Sequence, residues 1–560
     1  MRAFSLGLAF LFAISPAYST VDLGRGRAGD VLHIHHAPDP VNVRNGNFYL
    51  PVQDYYMSCF GFPLEVYRSY NSLSTRNGPF GKGWTFNYDI QIVVGEESGM
   101  KVVEADGFVN DYKAVEAEKN QSTNEVDPIV RAKKKEDIQY SGSPQGKGEA
   151  YYKDYRRKLQ ADKAFFERQR DRYLPAQSKA SASGKYVSRK RGTTFLTKTK
   201  NGFLRTTETG RSEEYNSKGL LIRLSDRNGN ELTLEYNAES RLTKVNDGCG
   251  QSIQSTYNPR GKIVEILDSL GRRLTYTYDA KDRLISAVAL DGGKTTFTYD
   301  DFDRMTSLVF GDGEKAEIFY DSKNGYVSKQ VGPGSKVTEY KYGKEKETVW
   351  ASVQDNEGGK GRYEYIDAEN KIIFIDKNGN KTITTVTACC GKPLSIKDPK
   401  GVGEDFRYDG KGNLISKTDA AKKTTAFTYE PRFNQVSEIK NHDGTTMRFL
   451  YDKTGNLSFA TSSDGKHVKL SYEKHGKIEK MTDHNENTVI FSYNSFGKPL
   501  TIEKKVKANR VGIINVTYDK TGEITSVVYE PKDPEVVQNI KDTLASFLRL
   551  LKPTGIDFEI

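Results

Sequence analysis

Cysteine is scarce in this chain. Only four occur among 560 residues, Cys59, Cys249, Cys389 and Cys390, and their spacing does not suit a zinc site. In an oxidising compartment they would be able to pair, but the adjacent Cys389 and Cys390 can hardly bond to each other without strain. We interpret all four as structural or free thiols, with Cys389 and Cys390 as the candidates for a disulfide or a thiol site.

Histidine is also scarce, and three of the seven cluster at His33, His35 and His36. On a strand, His33 and His35 would share a face, which is one way to hold Zn²⁺. No third ligand is near them in sequence except Asp30 and Asp39, so we expect a polar strand here and no metal.

Long apolar runs are absent after the first residues. Residues 1–19 have the pattern of a secretory signal: Arg2 precedes an apolar run over 4–14 that is too short to span a membrane, and Ala17 and Ser19 suit a cleavage site. No later segment approaches 18 apolar residues. We therefore expect an exported protein, secreted, periplasmic or at the cell surface, without a transmembrane segment.

Familiar catalytic motifs are missing as well. The sequence has no G-x-S-x-G, no H-E-x-x-H and no Walker loop, and a formal G-x-G-x-x-G match at 24–29 lacks the strand and helix that a dinucleotide site needs. Turns that open at Asp226, Asp376 and Asp483 resemble the start of a calcium loop, but aspartate is expected in such turns anyway. We predict no enzymatic activity, no metal and no cofactor.

A repeat marked by tyrosine dominates what is present. Apolar residues make up only 36% of the chain, but 33 Tyr and 27 Phe argue against disorder. A fixed period indicates an array of one supersecondary unit. The tyrosines at steps of 21 residues are Tyr215, Tyr236, Tyr257, Tyr278, Tyr299 and Tyr320, and the later ones are Tyr342, Tyr365, Tyr408, Tyr429, Tyr451, Tyr472, Tyr493 and Tyr518.

Each unit of the repeat reads as two strands. Polar and apolar residues alternate up to the tyrosine, and Asn/Asp-x-x-Gly patterns supply two turns. The predicted fold is all-β: a long antiparallel sheet of hairpins over residues 192–530 that curls into a spiral or partial shell. The tyrosines should line one face, as structural aromatics or as ligand contacts. The candidates are Tyr236, Tyr257, Tyr278, Tyr299, Tyr320, Tyr408, Tyr429, Tyr451, Tyr472 and Tyr493.

Residues 113–191 break the strand pattern and are densely charged. They contain a basic run at 131–135 and a predicted helix from Tyr151 to Tyr173. We predict a charged helical insertion that projects from the sheet. A basic helix suits anionic glycans, lipid headgroups or nucleic acid, and a solvated arm or a plug is the plainer interpretation. A smaller break lies at Thr387, where a tyrosine is due.

The C-terminal segment, residues 531–560, has the pattern of an amphipathic helix. Asp533 suits the cap and Pro534 the first helical position. We expect the helix to cover the open edge of the last strand, or to dock on a partner chain. The apolar stripe consists of Val536, Val537, Ile540, Leu544, Phe547, Leu548 and Leu551.

The repeat resembles the YD repeats of the rearrangement-hotspot (Rhs) family, which also occur in teneurins, wall-associated bacterial proteins and insecticidal toxin complexes. The predicted N-terminal β domain, residues 20–112, is similar to the domain that often precedes such repeats, through the motifs at 45–48, 68–72 and 78–84. The resemblance implies a sheet that spirals into a hollow shell able to enclose a cargo, commonly a C-terminal toxin. The C-terminal core motif and toxin domain of toxin carriers have no counterpart in this sequence.

Two functions are compatible with these observations. The first is an exported, non-enzymatic protein that acts by surface contact and binds polysaccharide or another glycan of the cell envelope through its aromatic ladder. The alternative is a shell or delivery component of a polymorphic toxin system whose toxin, or other protein partner, lies on another chain, or a truncated Rhs protein. We expect no nucleic-acid partner.

Overall fold

The structure is a computed structural model that describes residues 41–94, 99–115, 126–141, 147–162, 165–166, 169, 184–188, 193–388, 391–533 and 535–556. The predicted signal, the histidine cluster, the glycine motif at 24–29 and Pro534 lie outside the described residues. None of the described helices is long and apolar enough to cross a membrane.

Strands account for most of the described chain. In order they are β1 Val41–Asn42, β2 Asn47–Met57, β3 Leu64–Asn71, β4 Asn77–Gly78, β5 Gly81–Lys82, β6 Trp84–Phe86, β7 Gln91–Val94, β8 Met100–Val103, β9 Val109–Ala114, β10 Lys185–Ser188, β11 Thr194–Thr199, β12 Gly202–Thr207, β13 Ser212–Asn216, β14 Leu221–Ser225, β15 Glu231–Tyr236, β16 Leu242–Asp247, β17 Ser252–Tyr257, β18 Ile263–Asp268, β19 Arg273–Tyr278, β20 Leu284–Val288, β21 Lys294–Tyr299, β22 Met305–Val309, β23 Lys315–Tyr320, β24 Val327–Val331, β25 Val337–Glu345, β26 Thr348–Asp355, β27 Lys360–Ile366, β28 Lys371–Asp376, β29 Lys381–Val386, β30 Pro393–Lys397, β31 Gly403–Tyr408, β32 Leu414–Thr418, β33 Thr424–Tyr429, β34 Val436–Lys440, β35 Thr446–Tyr451, β36 Leu457–Ser462, β37 His467–Tyr472, β38 Ile478–Asp483, β39 Asn487–Tyr493, β40 Pro499–Val506, β41 Asn509–Tyr518 and β42 Ile524–Glu530.

Three α-helices interrupt or follow the strands in the described chain. They are α1 Val126–Ser141, α2 Glu149–Ala161 and α3 Glu535–Leu551. Short 3-10 turns lie at Pro333–Ser335, Asp367–Glu369 and Lys552–Thr554.

Strands β7 to β42 form one antiparallel sheet of 36 strands, in which each strand pairs with the next. Within the described ranges β42 forms no ladder with β7, so the sheet is an open coil and not a closed barrel. This confirms the predicted all-β fold. The predicted boundary at residue 112 falls inside β9, because β7 to β9 join the sheet of the repeats.

Most repeats carry a β-bulge at their tyrosine, although those of Tyr342 and Tyr365 do not. Thr277 pairs with Ser286, but Tyr278 pairs with Leu284, so Ile285 has no partner in the ladder. A bulge increases the local twist of a strand pair. Its recurrence at the tyrosines from β15 onward supplies the repeated bend that an open coil needs.

The turns after the tyrosines are stabilised by their first residue. Asp279 accepts hydrogen bonds from the backbone N–H groups of Lys281 (2.9 Å) and Arg283 (3.0 Å). Asp282 has a φ of 62°, in the left-handed region where most repeats place glycine. Aspartate tolerates this region, so the repeat survives without that glycine.

One revolution of the coil takes 21 to 23 strands, and the larger value comes from Asn230, before β15, which donates to the His475 carbonyl oxygen, after β37 (2.8 Å). The side-chain amide of Asn434, after β33, donates to Glu208, before β13 (3.1 Å). In the same way the amide of Asn456, after β35, donates to Asn228, before β15 (2.9 Å), so 21 strands lie between the partners of each bond. At a strand spacing of about 4.8 Å, 21 strands give a circumference of about 100 Å and a diameter of about 30 Å. The coil can therefore surround only a small amount of polypeptide.

The N-terminal strands fill the first part of this coil. Strands β1, β2, β3 and β6 form a separate small sheet, and its residues contact repeats on several sides. Tyr55 donates to Asp268 (3.3 Å), Trp84 donates to the Tyr299 hydroxyl (3.1 Å), and Arg44 pairs with Asp367 (2.8 Å). One continuous apolar core results, which extends along the repeats as far as Ile372.

Helix α3 fills the last part of the coil. It contacts β36, β37, β39, β41 and β42, and its buried residues share a second apolar core with these repeats. The expectation that this helix covers the edge of the last strand is therefore wrong, because it crosses the face of the sheet. Its N-terminus is capped by Asp533, which accepts a hydrogen bond from the Glu535 N–H (2.9 Å).

The insertion follows β9 and precedes β10, and these two strands are neighbours in the sheet. Tyr186 of β10 pairs with Ala114 of β9, so the ladder continues as if the insertion were absent. Helices α1 and α2 pack on each other around a small core of their own. The predicted helix from Tyr151 to Tyr173 overlaps α2. The sequence pattern did not predict a helix at the position of α1.

Candidate functional site: the uncovered arc

The repeated tyrosines make the same hydrogen bond in nearly every repeat. Each hydroxyl donates to the backbone carbonyl oxygen fifteen residues earlier, at the start of the preceding strand. The pairs are Tyr236 to Leu221, Tyr257 to Leu242, Tyr278 to Ile263, Tyr299 to Leu284, Tyr320 to Met305, Tyr408 to Pro393, Tyr429 to Leu414, Tyr451 to Val436, Tyr472 to Leu457 and Tyr493 to Ile478, at 2.6–3.0 Å.

Burial also raises the pKa of nine of these tyrosines, and it raises the pKa of the last repeat tyrosine, Tyr518, to about 12. The hydroxyl groups therefore stay protonated and remain hydrogen-bond donors at ordinary pH. In each of these ten repeats the hydroxyl satisfies a carbonyl of the sheet, which leaves the ring as the part able to contact anything else.

Eight of the ten candidate tyrosines pack against one of the two cores. Five belong with the N-terminal core and three with the helix α3 core. The other two, Tyr408 and Tyr429, belong to neither core. They occupy the same position in the repeat, so the difference lies in what covers the face of the sheet that bears the tyrosines, which we call the tyrosine face.

Residues 392–438 lie between the two cores, and only Phe427 and Val436 among them pack against either core. We call this stretch the uncovered arc. The structure describes this whole stretch, and none of its residues is buried. Phe406 shows the consequence most clearly. Its counterparts two residues before the repeat tyrosine, such as Phe297 and Phe449, are 3% and 2% exposed, whereas Phe406 is only half-buried.

Two charged residues replace apolar ones on the tyrosine face of this arc. Lys417 pairs across the ladder with Phe406, where Leu308 pairs with Phe297 in a covered repeat. Glu404 and Lys417 form a salt bridge of 2.7 Å with side chains 37% and 40% exposed. Charged groups are costly to bury, so this pair favours an arc in contact with water.

Aromatic and basic side chains alternate along the arc. The Lys417 ammonium lies 5.7 Å from the centre of the Phe406 ring, and the Lys392 ammonium lies 5.4 Å from that of Tyr408. Lys392 also donates to the Gly412 carbonyl oxygen. The arc thus offers partly exposed rings and a cation–anion pair, without a nucleophile–base pair.

The cysteines divide between two places. Cys59 and Cys249 form a disulfide with a Cα–Cα distance of 5.7 Å, which ties the N-terminal sheet to the repeats. Cys389 and Cys390 lie outside the described residues, immediately before the arc. Among the described residues that flank them, the Thr387 N–H donates to the Lys392 carbonyl oxygen (2.8 Å).

The three calcium-like turns use their carboxylates internally. Asp226 accepts from the N–H groups of Asn228 (2.8 Å) and Asn230 (3.0 Å), and its second oxygen accepts from the Asn230 side-chain amide (2.8 Å). Asp376 and Asp483 make the same set of bonds. The aspartates therefore serve as turn residues of the repeat.

Buried ion pairs within the first core escaped the sequence analysis. Arg68 is 1% exposed and pairs with Asp54 (2.5 Å), with its guanidinium 4.4 Å from the Trp84 ring. Arg205 bridges Glu104 (2.7 Å) and Glu213 (3.1 Å). Arg205 and Glu104 are 101 residues apart in sequence, so no local pattern would predict that they pair. Both sets lie within the packed interior, away from the arc.

Family models match three segments of the chain. A domain of unknown function, DUF6531, matches residues 38–112, the RHS repeat matches residues 215–251 and 257–294, and the teneurin YD-shell matches residues 362–483. The chain is a YD-repeat protein of the Rhs type. The YD-shell match includes the whole uncovered arc.

Solved structures similar to this chain come from toxin complexes. The Tc holotoxin pore of Photorhabdus luminescens is 14% identical, with a TM-score of 0.44 over 63% of this chain and 22% of that chain. TcdB2-TccC3 without its hypervariable C-terminal region is 12% identical, with a TM-score of 0.44 over 87% and 28%. The chain spans less than a third of the length of these structures. No curated protein matches the chain.

Proposed function

We propose that the chain is a non-enzymatic shell component whose uncovered arc receives a segment of a partner polypeptide. The observation that carries this proposal is the gap between the two cores. The same repeat face is covered by an N-terminal sheet on one side and by helix α3 on the other, whereas from 392 to 438 no residue is buried and only Phe427 and Val436 pack against either core.

The covered arcs indicate what kind of molecule fits this face. In both of them the occupant is polypeptide, which buries Phe297 and Phe449 and leaves the tyrosine hydroxyls on their carbonyls. The uncovered arc keeps the aromatic position at Phe406 but adds the Glu404–Lys417 pair. A polypeptide with both apolar and charged side chains matches this surface. We expect it to bind more weakly than the N-terminal sheet and helix α3 bind to their repeats.

The partner in this proposal is a toxin or another component of a toxin-type complex on a separate chain, and the setting is outside the cytoplasm. The matches to the RHS repeat and the YD-shell support a shell role. The glycan-binding alternative has less support, since eight of the ten candidate tyrosines pack inside the coil.

Photo-crosslinking in the producing cells tests the proposal. A photoreactive phenylalanine analogue at position 406 should crosslink one defined polypeptide, which resists protease until the shell is unfolded. The same analogue at Arg407 is the matched control, because Arg407 is exposed and adjacent in sequence but points to the opposite face.

Two results would overturn the shell proposal. One is equal crosslinking from positions 406 and 407, which would indicate non-specific contact. The other is retention on purified cell-wall polysaccharide that Phe406→Ala abolishes, because the arc would then be a glycan site.

A further inference from the structure

Nearly all of the net charge of this protein lies in the helical insertion. Residues 113–191 contain 20 lysine and arginine residues and 11 acidic ones, a net charge of +9. The whole chain has 84 basic and 74 acidic residues, a net charge of +10, so the other residues hold 64 basic and 63 acidic ones. The rest of the chain is therefore almost neutral overall, and the insertion is the basic part of the molecule.

The described helices of the insertion keep their apolar side chains inside. Ile129, Val130, Tyr152, Tyr155 and Leu159 are buried in the core between α1 and α2. We call the pair of helices α1 and α2 the hairpin. Among its described residues, no large apolar side chain is exposed. The described side chains of the hairpin therefore offer no exposed apolar surface with which to enter a bilayer, and no exposed ring on which a base or sugar would stack.

Basic side chains occupy the outer surface instead. Arg131 and Lys135 are exposed on α1, and Lys153 and Arg157 are exposed on α2. Arg157 is 71% exposed, and its nearest acidic group, Asp154, is 3.7 Å away. Acidic side chains are also exposed on these helices, at Asp127, Glu149 and Asp154. Residues 126–141 and 147–162 together hold nine basic and six acidic residues, so the hairpin carries an excess of three positive charges.

We propose that this hairpin attaches the protein to an anionic membrane surface by contact with lipid phosphate groups. A protein needs only a convex positive surface to bind an anionic bilayer, because the lipid headgroups are mobile and lie in a plane. Nucleic acid and polysaccharide are usually held by a groove or by stacked rings, and the described hairpin shows neither. Binding through charge alone, without insertion, should be reversed by salt.

The test uses the full chain in co-sedimentation with vesicles. The probe is a vesicle of phosphatidylglycerol and phosphatidylcholine, compared with phosphatidylcholine alone, at low (~0.05 M) and high (~0.5 M) salt. The variant R131Q/K135Q/K153Q/R157Q removes four charges from the hairpin. At about one kilocalorie per charge near the surface, it should bind roughly a hundredfold to a thousandfold less.

A matched control removes four charges elsewhere. K281Q/K400Q/K453Q/K520Q changes exposed lysines on turns of the repeats and should bind within about threefold of the wild type. An equal loss in both variants would overturn the proposal, as would binding that is insensitive to salt or absent with anionic vesicles. Tighter binding to duplex DNA or to an acidic polysaccharide at the same salt would also overturn it. Unchanged urea midpoints would show that both variants are folded.

Discussion

The Tyr278 hydroxyl donates a hydrogen bond of 2.7 Å to the carbonyl oxygen of Ile263, fifteen residues earlier. The bond ties the end of one strand to the start of the preceding one, next to the bulge that bends the sheet. The most conspicuous sequence feature of this chain thus acts within the sheet, and its repetition stabilises the coil.

Removal of one such hydroxyl should be measurable. Tyr278→Phe leaves the Ile263 carbonyl without its donor, and we expect a loss of about 1–2 kcal/mol in the free energy of unfolding. Urea unfolding, followed by tryptophan fluorescence, measures the change. Tyr342→Phe is the control, because the Tyr342 hydroxyl is buried without a hydrogen-bond partner in the described structure. A loss at Tyr342 as large as that at Tyr278 would contradict the role of the bond.

Truncation of equivalent phenylalanines should distinguish covered from uncovered repeats. Phe297→Ala opens a cavity in the first core and should cost about 3–5 kcal/mol. Phe406→Ala removes a half-buried ring that no described residue covers, so we expect a cost below about 1.5 kcal/mol. The same urea experiment compares the two variants. Equal costs would mean that the arc is covered in solution by some part of the chain.

The disulfide between Cys59 and Cys249 should contribute strongly to stability. It closes a loop with a sequence separation of 190 residues, and loops of this length correspond to about 2–5 kcal/mol. The double variant Cys59→Ser, Cys249→Ser should lose this stability and release the N-terminal sheet to protease. Cys389→Ser, Cys390→Ser is the control, and peptide mapping by mass spectrometry should still find the Cys59–Cys249 bond in it.

The turn aspartates predict a loss of stability in acid. Partial burial alone would raise the pKa of Asp409, but hydrogen bonds from Asn413 and Lys411 hold this pKa below its usual value. A carboxyl with a lowered folded pKa stabilises the protein above its unfolded pKa of about 3.9, and this stabilisation is lost as the pH falls through the folded pKa.

Asp409→Asn isolates this contribution. Asparagine occupies the same turn position at Asn237 and Asn258, so the turn should persist. The variant should be less stable than the wild type at pH 6, and the difference should shrink at pH 3. Exposed Asp301, changed to asparagine, gives the same change in charge. A difference that is constant with pH for Asp409→Asn would contradict the prediction.

Local patterns were sufficient to predict much of this molecule. The period of the tyrosines predicts the strands and turns, and the apolar stripe that begins at Val536 predicts helix α3, because these depend on residues only a few positions apart. The position of α3 was predicted wrongly. An apolar stripe shows that a helix is covered on one side, but it does not show which surface covers it.

The sequence pattern did not predict the uncovered arc. Phe406 and Phe297 stand at the same position of the repeat, and only the charged residues Glu404 and Lys417 beside Phe406 indicate a difference. Likewise, nothing near Cys249 indicates that its partner is Cys59, since the N-terminal sheet reaches it only after the coil has formed.

The sequence by itself determined the repeating unit: its strands, the bulge of most repeats and the hydrogen bond from ten of the repeat tyrosines to a carbonyl fifteen residues earlier. These depend on contacts within one or two hairpins, which the chain forms wherever the pattern occurs. Only the tertiary structure decided which repeats are covered and that residues 392–438 are not. Burial depends on which distant segment returns to a surface, and here an N-terminal sheet and a C-terminal helix occupy the coil from its two ends.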